Sequence, residues 1–179
     1  MAESPVRSRW WASIAFALLG LFLWGCSFSL GGPFGPQGAP PFRLTDVAEE
    51  GDAARRASVR LILGGLDEDQ ALRPAQALAL YERALQVDPN NPFAYLALAR
   101  HHVDGADPQR ALSFLDKADA LLADPDGRSP GLEANLVGIR GSALYASGRV
   151  DSALPLLERA RRLSPAVWDD ARLDAWELR

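Results

Sequence analysis

The sequence predicts an all-α chain, a short solenoid of paired helices carried behind an N-terminal apolar segment and a flexible linker. Three observations predict it. No charged side chain occurs from Trp10 to Phe42. Beyond residue 45 the composition turns rich in Ala, Leu, Arg and Glu, all good helix formers but for none that needs a strand. Within that second part, one pattern of small and large apolar residues recurs three times. The organisation that follows is an anchor or signal over residues 1–26, a linker over 27–44 and a helical domain over 45–179.

The bulk composition narrows the function classes. A chain of 179 residues holds one modest domain plus an appendage. Its net charge of −4 comes from interspersed acids and bases, without the basic stripe that would displace counterions from phosphates, so no nucleic acid partner is expected. One cysteine excludes an internal disulfide, and with only two histidines no zinc site is expected. The two histidines are adjacent, His101-His102. Neighbours on a helix do not share a face, so one is expected to pack and the other to meet solvent.

The apolar segment comes first in the chain. Arg7 and Arg9 precede Trp10 to Trp24 (WWASIAFALLGLFLW), a basic n-region before an apolar h-region as in an export signal, with Ser8 excluding a twin arginine. Leu23-Trp24-Gly25-Cys26 follows at once and resembles a bacterial lipobox, in which a small residue precedes a cysteine that is lipidated. Trp24 departs from that pattern, because its position is usually small. By the resemblance Cys26 is the lipidation site. The alternative is an uncleaved membrane helix from Trp10 to Leu30, long enough to cross a hydrocarbon core of about 30 Å. Both readings keep Arg7 and Arg9 cytoplasmic and place the rest in the periplasm. Ser27 is not the acidic residue that retains lipoproteins in the inner membrane of enteric bacteria, so the resemblance favours the outer membrane. Ser27 to Phe42 (SFSLGGPFGPQGAPPF) is rich in Gly and Pro and reads as a spacer.

The repeats occupy the remainder. Ala77-x3-Tyr81-x2-Ala84-x4-Pro89 recurs as Ala153-x3-Leu157-x2-Ala160-x4-Pro165, with Ala111-x3-Leu115-x2-Ala118 between them. The offsets are 34 residues from Ala77 to Ala111 and 42 from Ala111 to Ala153. This period and these residues resemble the tetratricopeptide repeat, a helix-turn-helix unit. The resemblance implies small residues where two helices cross, a large apolar wedge, and a proline ending each second helix. Gly65, Ala99 and Gly141 stand at the small position of the first helices. The units are expected at about 58–91, 92–125 and 134–167, with an inserted loop over 125–133 and a solvating end helix over 168–179. Residues 45–57 are expected to be helical too, broken at Gly51 with Asp52 as an N-cap.

Members of that family usually bind partners in the groove lined by the first helix of each pair. Carried over by register, the groove positions are Val59, Ile62 and Leu66, then Phe93, Leu96 and Arg100, then Asn135, Gly138, Ser142 and Tyr145. That mostly apolar face suits an amphipathic helix or an extended apolar peptide. The lysine and asparagine clamp for a C-terminal carboxylate is not matched, since Ile62, Leu66 and Ala97 stand where it would be. No Gly-rich phosphate loop, nucleophile motif or paired carboxylates in a pocket are visible, and Asp67-x-Asp69 reads as helix-end charge. The expectation is a tethered adaptor without cofactor or catalysis, assisting an envelope assembly complex. The alternatives are a permanent structural subunit and an accessory to an envelope enzyme.

Overall fold

Residues 38–123 and 128–179 are described by a computed structural model of the chain. The anchor over 1–26 with Cys26, the alternative helix over 10–30, the linker up to residue 37 and residues 124–127 of the insertion lie outside the described residues. Among the described residues no helix is long and apolar enough to cross a membrane, and none forms a strand.

Six helices make three antiparallel pairs: α1 (Ala53–Gln70) with α2 (Pro74–Val87), α3 (Pro92–Asp104) with α4 (Pro108–Leu121), and α5 (Pro130–Ala146) with α6 (Val150–Leu163). The sequence starts them with caps and prolines. Asp52, Asn91, Asp107 and Ser129 each accept a backbone N–H of the following first turn, and Pro74, Pro92, Pro108 and Pro130 stand at the first turn, where their missing N–H costs nothing. Asp52 caps as expected, with its carboxylate accepting Arg55 N–H at 2.8 Å.

The small positions pack as the pattern requires. Ala77, Ala84, Ala111, Ala118, Ala153 and Ala160 are fully buried, as are the wedges Tyr81 and Leu115. A Cβ at Gly65 would fall 2.3 Å from the Tyr81 ring, and one at Gly141 would fall 2.9 Å from Leu157. The missing side chains are therefore what lets α1 approach α2, and α5 approach α6.

The three turns inside the pairs are built alike. Leu72, Ala106 and Gly148 all take a left-handed backbone, with φ of 57°, 56° and 79°. In each turn the next residue's N–H reaches five residues back: Arg73 to Glu68, Asp107 to His102 and Arg149 to Leu144. These are Schellman motifs, and glycine is the residue that suits their left-handed position. Only the third turn has it. A left-handed Leu costs roughly 1–2 kcal/mol, while glycine loosens the unfolded chain by about 0.4–1 kcal/mol. Leu72 is 87% exposed and loses little packing on removal. Leu72→Gly should therefore stabilise the fold by roughly 0.5–1 kcal/mol and raise Tm by about 2 °C, as differential scanning calorimetry would read. A fall in Tm would show that Leu72 makes a stabilising contact.

Two ends depart from the sequence expectation. The spacer was expected to run to residue 44, yet residues 39–44 lie against the domain. Ala39 N–H donates to Leu163 O at 2.8 Å, the Phe42 ring stacks on Phe93 with centroids 5.5 Å apart, and Leu44 is fully buried at the start of a single 3-10 turn, Leu44–Val47. Phe42 and Leu44 supply apolar surface that the Gly/Pro-rich part lacks. The end helix over 168–179 is not one helix. Two single turns, α7 (Pro165–Trp168) and α8 (Ala175–Leu178), flank non-helical residues 169–174 in which Ala171 has a left-handed backbone, φ 62°. Trp168, Leu173 and Leu178 are all buried. Steps of five residues advance about 140° around a helix, so one straight helix would point the three in different directions. A broken segment buries all of them.

Candidate partner-binding groove

The first helices of the pairs, α1, α3 and α5, carry the expected groove residues. Val59, Ile62 and Leu66 on α1 and Leu96 on α3 are fully buried. Arg100 is 3% and Asn135 2% exposed, Phe93 and Ser142 are half-buried, and Tyr145 is 57% exposed. The chain itself covers this face, from both ends of the domain.

Residues 40–44 cover part of the third and second pairs. A Cβ at Gly131 would fall 2.5 Å from Pro40 O, Asn135 Nδ2 lies 3.5 Å from Phe42 O, and Phe42 stacks on Phe93. The C-terminal segment covers the rest. The Trp168 indole N–H donates to Asn135 Oδ1 at 3.1 Å, and its ring lies so close over Gly138 that a Cβ there would fall 2.3 Å from it. Ser142 Oγ reaches Ala171 O at 3.2 Å. The segment then crosses to the first pair, where α8 packs on α1 and Leu178 joins the buried cluster of Ile62 and Leu66. Arg172 pairs with Asp104, and Arg179 Nε lies 2.6 Å from Asp67. The two covers also meet each other, Thr45 N–H donating to Arg179 O at 3.0 Å.

At the α1–α3 end of the groove sits a polar cluster. Asp69 receives the Tyr81 hydroxyl at 2.9 Å, the His101 Nδ1–H at 2.9 Å, and Arg100, whose other nitrogen holds Asp104 at 2.8 Å. Burial works against the Asp69 charge, but the His101 hydrogen bond and the Arg100 guanidinium outweigh it and hold the carboxyl below its ordinary range. Burial, and then the Asp69 charge, push the Tyr81 phenol far above its own. Asp69 does stand at the end of α1, but buried at the centre of this cluster rather than as a solvated charge. Its register was visible, since 59, 62, 66 and 69 continue one helix stripe.

Both histidines are buried, so neither meets solvent, where the sequence suggested that one of the two would. His101 sits edge-on to Tyr81, and His102 stacks on Phe114 with centroids 5.3 Å apart. Burial, and then the neighbouring His101, lower the His102 pKa. Depressed groups stabilise the fold above their unfolded pKa and stop doing so as pH falls through the folded one. Stability should therefore fall first below pH about 6.5, through His102, and again below about 4, through Asp69. Glu177, raised by burial and by the Asp174 charge, gains stability as pH falls toward its ordinary range, and so opposes the lower part of the first step. Thermal melts of wild type and His102→Gln across pH 3–8 check this, with the first step expected to vanish in the variant.

Beside the cluster lies a cleft of about 590 Å³, lined by Leu72, Arg100, Asp104, Arg172, Asp174 and Trp176 among others. Leu72 and Trp176, 53% exposed, offer apolar surface at its rim. No group of three His, Cys, Asp or Glu among the described residues is placed to hold a metal.

Residues 70–136, from the end of α1 to the first turns of α5, match the family described as Tetratricopeptide repeat. Such repeats bind other proteins or peptides. No curated protein matches the chain.

Proposed function

We propose that this protein is a membrane-tethered adaptor facing the periplasm, which catalyses nothing and holds another protein near the bilayer in the service of an envelope assembly complex. The observation that carries the reading is the stack of three helix pairs whose stretch over 70–136 matches a protein-binding repeat family. The tether is supported by the uncharged run after Arg9 and by Leu23-Trp24-Gly25-Cys26. Fixing the domain at the membrane raises its effective concentration for partners there without any new contact. Ser27 after the cysteine favours the outer membrane, and the single-pass anchor over residues 10–30 favours the inner one.

Intact mass of full-length protein recovered from membranes tests the tether. Loss of residues 1–25 with gain of acyl mass, absent in Cys26→Ala, supports the lipoprotein form. Wild type and variant that both run from Met1 to Arg179 leave the transmembrane helix. Recovery of the chain in the soluble fraction contradicts the tether altogether.

The exposed Leu72, Tyr145, Leu154 and Trp176 are the side chains that a second reading, a permanent structural subunit, would have a larger complex cover. The fragment from Pro36 to Arg179, one compact unit, discriminates. A monodisperse monomer in analytical ultracentrifugation supports the adaptor; obligate association supports the subunit.

A further inference from the structure

The C-terminal cover of the groove is built unlike the helices it lies on. α1 to α6 each have at least 13 residues, whereas α7 and α8 have four each. Turns this short do not hold themselves together. What holds the segment is a set of side-chain anchors: Trp168 on Asn135 and Gly138, Leu173 and Leu178 in the buried cluster, and two ion pairs whose arginines are about half exposed. Its own backbone reaches the rest of the domain through few bonds, chiefly Ala171 O to Ser142 and Arg179 O to Thr45. Segments with these properties open at lower free energy than the packed helices beneath them.

From this we propose that Pro165–Arg179 is a displaceable occupant of the inner groove. The groove would then accept from a partner protein a short segment of the same chemistry. Such a segment carries an aromatic N–H donor for Asn135 seated over Gly138, leucines about five and ten residues later, and basic side chains for Asp104 and Asp67. The inference rests on the adaptor reading and deepens it, by naming the surface and the kind of segment it takes. The occupant is argued from what sits there now: the apolar pocket fits a Trp ring, Asn135 presents an acceptor, and the exposed carboxylates at both ends already draw arginines. Recognition and gating use one set of contacts, so a partner binds by the difference between its segment and the tethered one.

Two measurements on the full chain in detergent test it. In wild type, hydrogen exchange of amides 167–179 should run at least tenfold faster than that of α5. Exchange of both at one common rate would overturn the proposal, because the segment would then open only with the whole domain. The second uses a fluorescent synthetic peptide of residues 165–179. It should bind the Trp168→Ala chain at least tenfold more tightly than wild type and raise the variant's melting temperature, while a peptide with the same Trp168→Ala change should do neither. A Trp168→Ala chain that melts cooperatively yet ignores the peptide would overturn the proposal. If that variant does not fold, the exchange rates of wild type decide alone. A wild-type chain that forms dimers by exchanging its C-terminal segment would also overturn it, making a second copy the occupant. Failure to find a partner protein in cells would sink the adaptor reading and leave both of these readouts unchanged.

Discussion

Asp69→Ala should lower the stability of the domain by about 3 kcal/mol, since it takes from the buried Arg100 guanidinium its buried counter-charge and leaves only the part-exposed Asp104 to hold it. The Arg100 side chain is 4% exposed, and among the described residues its Nε already lacks an acceptor. The same change removes the acceptor of the Tyr81 hydroxyl and of His101 Nδ1. Tyr81→Phe, which removes one hydrogen bond and keeps the wedge, should cost only about 1 kcal/mol. Replacing the pair together, Asp69→Ala with Arg100→Leu, should recover part of the loss, because no unpaired charge then remains. Chemical denaturation of wild type, Asp69→Ala, Arg100→Leu and the double variant reads the cycle, with Tyr81→Phe measured beside them. A single variant at Asp69 that costs less than about 1 kcal/mol would mean that water reaches Arg100 freely.

Trp168→Ala is expected to cost a comparable amount, about 3–5 kcal/mol, as for a large buried aromatic truncated in a core. It is among the largest fully buried side chains, and its indole is the donor to Asn135. Gly138→Ala attacks the same contact from the other side, since a Cβ would fall 2.3 Å from the ring. The two changes should therefore not add: once the ring is gone, a methyl group at 138 has room and costs little. Additive losses in denaturant unfolding would mean that Gly138 matters for some other reason.

The helix pairs were legible because their causes are local and periodic. Ala77, Tyr81 and Ala84 repeat at a fixed spacing, and Gly65 and Gly141 stand where the opposite wedge arrives, so the crossing points could be placed from the sequence alone. The caps Asp52 and Ser129 are local too, although only the first was singled out. Of the residues that register put on the first helices' inner side, Val59, Ile62, Leu66, Leu96, Arg100 and Asn135 are buried. What covers that face was not legible, because it depends on pairings such as Asn135 with Phe42 and Asp67 with Arg179, 93 and 112 residues apart. The end segment was misread for a related reason. Val167, Ala171 and Ala175 make a helical stripe on paper, but the larger gain comes from burying Trp168, Leu173 and Leu178, which no single helix can do here. Asp69 looked like a helix-end charge because its partners Tyr81, Arg100 and His101 sit on two other helices.

On the proposed function, this repeat domain meets a partner protein on its inner side. Site-specific photo-crosslinking in living cells tests it most directly, with the probe placed at Tyr145 on α5 and Trp176 on α8, and at Leu154 on α6 as a comparison. All three are more than half exposed, so each can carry the probe without disturbing the core. A discrete covalent adduct to one protein is expected from Tyr145 and Trp176, and none from Leu154. An adduct from Leu154 alone would place the partner on the second helices and contradict it.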